Sequence, residues 1–212
     1  MSRVPTHPQD ETLLDFAASQ LDRPHRLVLE AHLEHCAICR QRVGELAAPG
    51  GWWLEQLSPE APSRELWEKL EQRVAAAAPA DLFAGELPLP MSLRQELAGQ
   101  PPQRWWSMFL NGGRVTVLLE DAVSKSLLCL GEMPGGRRFP RHEHLGFEQV
   151  TVLAGGFADE RGELVAGDYA AYEPGSVHGP DTLDGDPCWT LFRLGGKVRF
   201  LGWRGALQRI FG

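Results

Sequence analysis

The sequence feature that most constrains this chain is a short run of metal-ligand residue types, His32-x3-Cys36-x2-Cys39, in a protein with four cysteines. Each residue of an α-helix advances the side chain by about 100°. One continuous helix would therefore place the three side chains within roughly 60° of one another. One imidazole and two thiols on one face supply three of the four ligands of a tetrahedral zinc site. The alternative, an amphipathic helix with small buried residues and a chance histidine, explains the paired cysteines less well.

A structural zinc site needs a fourth protein ligand, because such sites close their tetrahedron with protein groups. The nearest candidates are His7, His25 and His35. His35 would point about 100° away from Cys36, and His25 is more simply a solvated residue in the first turn of its helix. His7 precedes the first helix, on a segment that is free to fold back. We therefore predict His7 as the fourth ligand.

Composition favours a globular protein of the cytoplasm. At 212 residues the chain is long enough for one large or two modest domains. A net charge of −7 argues against a non-specific nucleic-acid surface. No apolar run reaches the roughly 18 residues of a membrane span, and the first residues contain no signal-peptide hydrophobic segment. Few cysteines, two of them in a metal-like motif, fit a reducing compartment.

The first part of the chain has the apolar spacing of short helices. Helices are predicted over 11–21, from about Leu27 through Leu46, over 52–57 and over 63–74, with Gly50-Gly51 interrupting before the third. Four short helices bury only a marginal core, and a bound metal ion would stabilise such a domain. The proline-rich run 79–90 has no helical period and marks a change of domain. We assign 1–85 to a helical zinc-binding domain and 86–100 to a linker.

The remaining sequence has the pattern of a β-domain over 101–200, which makes the chain an α+β multidomain protein. Short apolar or alternating runs separated by Gly, Pro and Asp indicate a sandwich or small barrel. These runs are 105–110, 113–119, 126–133, 148–154, 156–160, 168–173 and 188–194. Residues 201–212 form a C-terminal tail, with a short helix predicted over 204–211.

A second group of metal-ligand residues lies in the β half. Residues two apart in a strand share a face, so His142 and His144 can point together into a barrel. Glu148 and His178, from neighbouring strands or turns, would complete a set that suits zinc, manganese, iron, nickel or copper. The alternative is a set of surface polar residues near a Gly-rich turn. Matched spacing argues against it: Gly136-x5-His142-x-His144-x3-Glu148-x6-Gly155, then Pro174-Gly175-Ser176-Val177-His178.

These two motifs resemble those of the cupin superfamily. The first motif matches at every defined position, whereas the second has Thr182 where many cupins have Asn. The helical half resembles the zinc-dependent anti-sigma domain, with its His-x3-Cys-x2-Cys run and upstream histidine. In this order and at this length, the chain resembles the ChrR family of anti-sigma factors over nearly its whole length. The resemblance implies structural zinc at one site and zinc in the cupin at the other. The implied ligands are His7, His32, Cys36 and Cys39 for the first site, and His142, His144, Glu148 and His178 for the second.

The resemblance also implies a function without catalysis. The helical domain would sequester an extracytoplasmic-function sigma factor (RpoE-like) from core RNA polymerase. The cupin would be the sensor that brings about release in response to singlet oxygen or organic peroxides. We expect the helices to carry more apolar residues than a small core can bury, so that some stay exposed for a partner. The residues expected to be exposed are Leu13, Phe16, Trp52, Trp53 and Trp67. The alternative function is a cupin-type metalloenzyme, such as a dioxygenase acting on small molecules. Cys129 is interpreted as a core residue, and Cys188 as a strand residue that could lie near the cupin metal and contribute to sensing.

Overall fold

The computed structural model of the chain describes residues 7–76, 89–97, 104–108 and 112–202. In these residues a helical N-terminal region precedes a region of β-sheet. The helices are α1 (Asp10–Ala17), α2 (Arg23–His35), α3 (Ala37–Glu55), α4 (Arg64–Ala76) and α5 (Met91–Leu97). No helix in the described part of the chain is long and apolar enough to cross a membrane.

The predicted continuous helix from Leu27 to Leu46 is wrong, because the chain breaks at Cys36. Helix α2 ends at His35, and Cys36 has an extended backbone with φ −106° and ψ 100°. The Cys36 thiol accepts the backbone N–H of Cys39 and so caps helix α3. The predicted interruption at Gly50-Gly51 is also wrong, since α3 continues through it to Glu55. Glycine lowers helix propensity by only about 1 kcal/mol, which a 19-residue helix tolerates.

A further helix lies inside the segment that the sequence suggests is a linker. Helix α5 packs against α2, and its Leu93 and Leu97 are fully buried. The helix predicted over 204–211 lies outside the described residues.

The β region consists of antiparallel strands in three sheets, with the orders β1-β2-β3-β11-β5-β8, β10-β6-β7 and β12-β4-β9. Each of the seven predicted runs contains a strand, and further strands of two to four residues lie between these runs and after the last one. The described pairings do not join the three sheets into one closed ring. The strands are β1 (Trp106–Met108), β2 (Gly113–Glu120), β3 (Leu127–Met133), β4 (His142–His144), β5 (Glu148–Ala154), β6 (Gly156–Asp159), β7 (Gly162–Val165), β8 (Tyr169–Tyr172), β9 (Val177–His178), β10 (Asp181–Thr182), β11 (Cys188–Leu194) and β12 (Val198–Phe200).

The largest sheet has two different faces, because successive side chains of a strand point to opposite sides. Leu128 and Leu130 of β3 belong to one apolar core with residues of helix α2. The intervening Cys129 and its cross-strand partner Phe192 face a cavity on the other side. The helical region and the sheet therefore share a core on one face, and the opposite face is left to line the cavity.

Helix α2 is also fixed to the sheet by polar contacts at its N-terminus. Asp22, its capping residue, accepts the backbone N–H of His25 at 2.9 Å and the hydroxyl of Ser126 at 3.1 Å. The same carboxylate pairs with Arg193 of β11, with an Nη2–Oδ2 distance of 2.5 Å. One turn farther on, Thr151 donates its hydroxyl to the Val28 carbonyl at 2.8 Å. These contacts fix the orientation of the helix that carries His32.

Candidate functional site: two clusters of metal-ligand side chains

The first cluster brings together the predicted residues His7, His32, Cys36 and Cys39. Their ligand atoms all lie within 4.8 Å of one another. His7 Nδ1 lies 3.4 Å from each of the Cys36 and Cys39 thiols. The break between α2 and α3 is what allows this arrangement, since Cys36 turns the chain between the helix that holds His32 and the helix that holds Cys39.

The protonation of His32 leaves a lone pair directed into the first cluster. Its Nδ1 donates to the Gly167 carbonyl at 2.7 Å, so its Nε2 is an acceptor. That Nε2 is buried and has no hydrogen-bond partner. Burial and the neighbouring Cys36 raise the pKa of the Cys39 thiol to about 12. A buried imidazole lone pair beside two thiols fits a bound cation, which would displace the thiol protons.

The other two histidines considered for this cluster lie elsewhere. His35 is exposed and is not one of the clustered residues. His25 is in the first turn of α2, but it is half-buried rather than solvated, so that part of the interpretation is wrong. Its Nε2 lies 3.0 Å from the Tyr169 hydroxyl, and burial lowers its pKa to about 4. His25 therefore belongs to the contact between helix and sheet.

The second cluster contains His142, His144, Glu148 and His178, whose ligand atoms also lie within 4.8 Å of one another. His142 and His144 share a face of β4, as the spacing predicts, and His142 is directly opposite His178 of β9. Glu148 begins β5, and its Oε2 lies 3.1 Å from His144 Nε2 and 3.9 Å from His178 Nε2. Three strands from two sheets thus supply the four side chains.

The hydrogen bonds around this cluster leave several lone pairs facing one another. His142 Nδ1 donates to the Pro140 carbonyl at 2.9 Å, and His178 Nδ1 donates to Asp159 Oδ2 at 3.0 Å. The two Nε2 atoms are therefore both acceptors, and they lie 3.1 Å apart. Glu148 Oε2 and His144 Nε2 are buried without hydrogen-bond partners. Facing acceptors repel one another unless a cation lies between them, so the residues fit a bound metal ion.

Burial shifts the pKa values of this cluster in the directions expected for a desolvated site. It lowers the pKa of His142 to about 4 and that of His144 to about 3. It raises the pKa of Glu148 to about 7. Near neutral pH the imidazoles of His142 and His144 are therefore unprotonated and ready to act as ligands, while the Glu148 carboxyl gains from a nearby positive charge.

Two residues that orient histidines of the clusters could not be identified from the sequence. Asp159 has a fully buried side chain, and it accepts from both His178 Nδ1 and the Tyr172 hydroxyl, the latter at 2.7 Å. Gly167 offers its carbonyl to His32. Partners of this kind fix the ring orientation of metal-bound histidines. Asp159 lies outside both motifs, and a carbonyl acceptor carries no side-chain signal, so spacing could not identify either residue.

Both remaining cysteines are buried and border the cavity in front of the second cluster. Cys188 faces this interior, as the sequence suggests for its strand, and burial raises its pKa to about 12. Cys129 is also buried, and its thiol lies close enough to Glu148 for that carboxylate to add to the rise of its pKa to about 12. The structure thus places two thiols, and not Cys188 alone, around the cavity.

A third feature is an apolar surface on the helices. Trp52, Trp53 and Trp67 are between 55% and 67% exposed, as predicted. Leu13, in contrast, is buried in the core and Phe16 packs against that core, so they are not part of this surface. Helix α4 also exposes apolar residues: Leu66, Trp67, Leu70 and Val74. We call these exposed apolar residues of α3 and α4 together the α3–α4 surface.

Together, the fold and the clusters define a class of protein in which a helical region bearing a His2Cys2 cluster is joined to a cupin-like sheet domain. Comparisons with known proteins agree. A family described as the ChrR cupin-like domain matches residues 94–197. The anti-sigma-E factor ChrR of Cereibacter sphaeroides is 30% identical over 200 residues, which cover 92% of this chain and 91% of that protein. A crystal structure of Rhodobacter sphaeroides SigE in complex with the anti-sigma ChrR matches with a TM-score of 0.68 and 28% identity, covering 91% of this chain and 100% of that chain.

The chain therefore belongs to the ChrR family of anti-sigma factors. This confirms the family suggested by the two motifs and by their order in the sequence. It also confirms a helical region followed by a cupin-like sheet domain.

Proposed function

We propose that this chain is a cytoplasmic anti-sigma factor that binds and inhibits an extracytoplasmic-function, RpoE-like sigma factor. Its cupin-like domain is the sensor, and the sigma factor is released in response to singlet oxygen or organic peroxide. Support comes from membership of the ChrR family and from similarity to a ChrR that forms a complex with SigE.

The observation that carries the proposal is the α3–α4 surface. Each apolar side chain of the stripe on α4 is more than 40% exposed, and two adjacent tryptophans of α3 are more than half exposed. Exposed apolar side chains that include several tryptophans mark protein interfaces, where such residues supply much of the binding energy. A sigma factor seated on this surface would bury it.

The two clusters differ in what a metal ion would do. In the first, His7, His32, Cys36 and Cys39 form a closed His2Cys2 set, for which zinc is the expected ion and a structural role the expected one. That zinc would fix the angle between α2 and α3, and with it the position of the α3–α4 surface.

In the second cluster, three imidazoles and one carboxylate would hold zinc or another divalent ion such as manganese, iron or nickel. An ion bound there would supply a Lewis acid. Pro140 and Asp159 hold the imidazoles of His142 and His178, respectively, in one tautomer.

The proposed organisation is a four-helix anti-sigma domain (1–85), a linker (86–100), a cupin β-barrel (101–200) and a C-terminal tail (201–212). The shared core and the His32–Gly167 hydrogen bond join the first domain to the cupin. A change at the cupin can therefore act on the helix that carries a zinc ligand. Cys188 remains a proposed sensing residue.

The test is capture of the cognate sigma factor by the full-length chain. The double variant Leu66→Asp/Leu70→Asp should weaken capture at least tenfold, because it places two charges in the proposed interface. The control is Lys69→Asp, which should weaken capture less than twofold. Lys69 is exposed on the same helix and is not part of the apolar stripe. Equal capture by wild type and the double variant would refute the proposed surface.

A cupin-type metalloenzyme is the alternative that the second cluster alone would allow. Family membership favours the regulatory role, since the curated relative is named for its action on a sigma factor.

A further inference from the structure

Helix α4 differs from helix α2 in having no buried face, although both contain 13 residues. Seven residues of α2 are buried, and most of them belong to the core that the helical region shares with the sheet. In α4, by contrast, every residue from Arg64 to Ala75 is exposed. The residues that precede it, from Ala47 to Ser63, are exposed as well. In the described part of the chain, α4 is therefore a helix without a core to hold it.

The stability that remains to α4 is its own. Ser63 caps its first turn, because the Ser63 hydroxyl accepts the Leu66 backbone N–H at 3.1 Å. Two ion pairs join residues four apart on its surface: Arg64–Glu68 and Glu65–Lys69. Exposed pairs of this kind add little. Isolated helices shorter than about 12–15 residues are only marginally populated in water, since most helix stability in proteins comes from packing. On its own, α4 would therefore be balanced between helix and coil.

The helical form of α4 is what gathers its apolar side chains into one stripe. Leu66, Trp67, Leu70 and Val74 fall within about 100° around the helix axis. The stripe is about 12 Å long, because eight residues separate its ends and each adds about 1.5 Å. In an unfolded segment these four side chains would share no face. The stripe exists only while α4 is helical, so a partner that buries it stabilises the helix.

We propose that α4 folds on its partner. In the free chain α4 exchanges between helix and coil, and it becomes a stable helix when its apolar stripe seats in an apolar groove of the sigma factor. This inference rests on the proposed function, which supplies the partner, and it deepens that function by stating how the partner recognises α4. The ordering of α4 offsets part of the binding energy. Substitutions that change helix propensity therefore change affinity even where they do not touch the partner.

Glycine and alanine at the same position separate helix propensity from contact with the partner. Glu68 and Gln72 are exposed and lie on the side of α4 roughly opposite the stripe. Glycine is less favourable than alanine in a helix by about 1 kcal/mol, which corresponds to a factor of about five. The full-length variants are titrated with the cognate sigma factor by calorimetry. Glu68→Gly should bind about fivefold more weakly than Glu68→Ala, and Gln72→Gly about fivefold more weakly than Gln72→Ala. Equal affinities within both pairs would mean that α4 is already a stable helix in the free chain, and would overturn the proposal.

The matched control is the same pair of substitutions in the packed helix. Glu30 lies in the middle of α2, whose buried face holds that helix in the free and the bound chain. Glu30→Gly and Glu30→Ala should therefore differ in unfolding free energy but less than twofold in affinity for the sigma factor. A fivefold difference in affinity for this pair as well would show that glycine acts through overall stability, and would overturn the argument for α4.

Hydrogen exchange examines the free chain directly. The amide protons of 64–76 should exchange rapidly in the free full-length chain and at least tenfold more slowly in the complex, whereas those of α2 stay protected in both. Slow exchange throughout α4 in the free chain would overturn the proposal. A chain that captures the sigma factor without any difference between glycine and alanine overturns this inference alone. A chain that captures no sigma factor overturns the proposed function, and this inference with it.

Discussion

Replacing Asp159 by asparagine should weaken metal binding at the second cluster by about ten- to hundredfold, which is the usual effect of removing such a partner. The Asp159 carboxylate is fully buried and accepts three hydrogen bonds: Oδ2 accepts from His178 Nδ1 and from the Tyr172 hydroxyl, and Oδ1 accepts from the Arg161 backbone N–H. Asparagine has one acceptor oxygen and no charge, so its NH2 group would face either the Arg161 N–H or the two donors at Oδ2, and His178 Nδ1–H would lose its charged acceptor. A hydrogen bond to a charged group contributes about 1.5–3 kcal/mol. This corresponds to the same range of affinity, since 1.4 kcal/mol is a factor of about ten.

The assay is competition for zinc between the full-length chain and a chromophoric chelator, with the two sites resolved by their stoichiometry. Asp186→Asn is the matched control, because Asp186 is exposed and should leave both affinities within twofold of wild type. The first cluster serves as an internal reference in the same protein. An Asp159→Asn variant whose second site keeps wild-type affinity would show that this carboxylate does not orient His178, and the argument from tautomers would fail.

Three further predictions concern the contacts that join the helical region to the sheet. Asp22→Ala should lower the free energy of unfolding by about 3–5 kcal/mol in urea denaturation, because it leaves Arg193 as a nearly buried charge without its partner; a loss below about 1 kcal/mol would contradict this. His25 has its pKa lowered from 6.5 to about 4, so its stabilising effect is present above pH 6.5 and is lost as the pH falls toward 4. Between pH 7 and pH 4 the free energy of unfolding of the wild type should therefore fall by up to about 3 kcal/mol more than that of His25→Gln. Parallel profiles of unfolding free energy against pH would refute this. Gly167→Ala should weaken metal binding at the first cluster only, and the same chelator competition would measure this. Gly167 has φ +92°, and a Cβ there would lie 3.1 Å from the Cβ of His35.

The two clusters could be predicted from the sequence because most of their members lie in short motifs. His142 and His144 alternate on one strand as expected, and the short strands follow their apolar runs. The residues of the first cluster also lie together, but the prediction that one continuous helix aligns His32, Cys36 and Cys39 is wrong. Cys36 has an extended backbone and begins a new helix, because its thiol caps the next turn. Helix periodicity describes residues within one helix and cannot predict this break.

Contacts between residues far apart in the sequence could not be predicted in this way. Arg193 meets Asp22 across 171 residues, and Gly167 meets His32 across 135 residues. Neither pair leaves a periodic signal, since only the packing of α2 on the sheet brings its members together. The cavity has the same origin. Alternation predicts that a strand has two faces, but it does not say which face a helix will cover.

The central claim is that this chain holds a sigma factor away from core RNA polymerase in a metal-dependent way. Its most direct test is transcription in vitro from a promoter that depends on the cognate extracytoplasmic-function sigma factor. One equivalent of the metal-loaded full-length chain should abolish the transcript, and Cys36→Ser, which removes a ligand of the first cluster, should leave it near its full level. A full transcript in the presence of several equivalents of the wild-type chain would contradict the account.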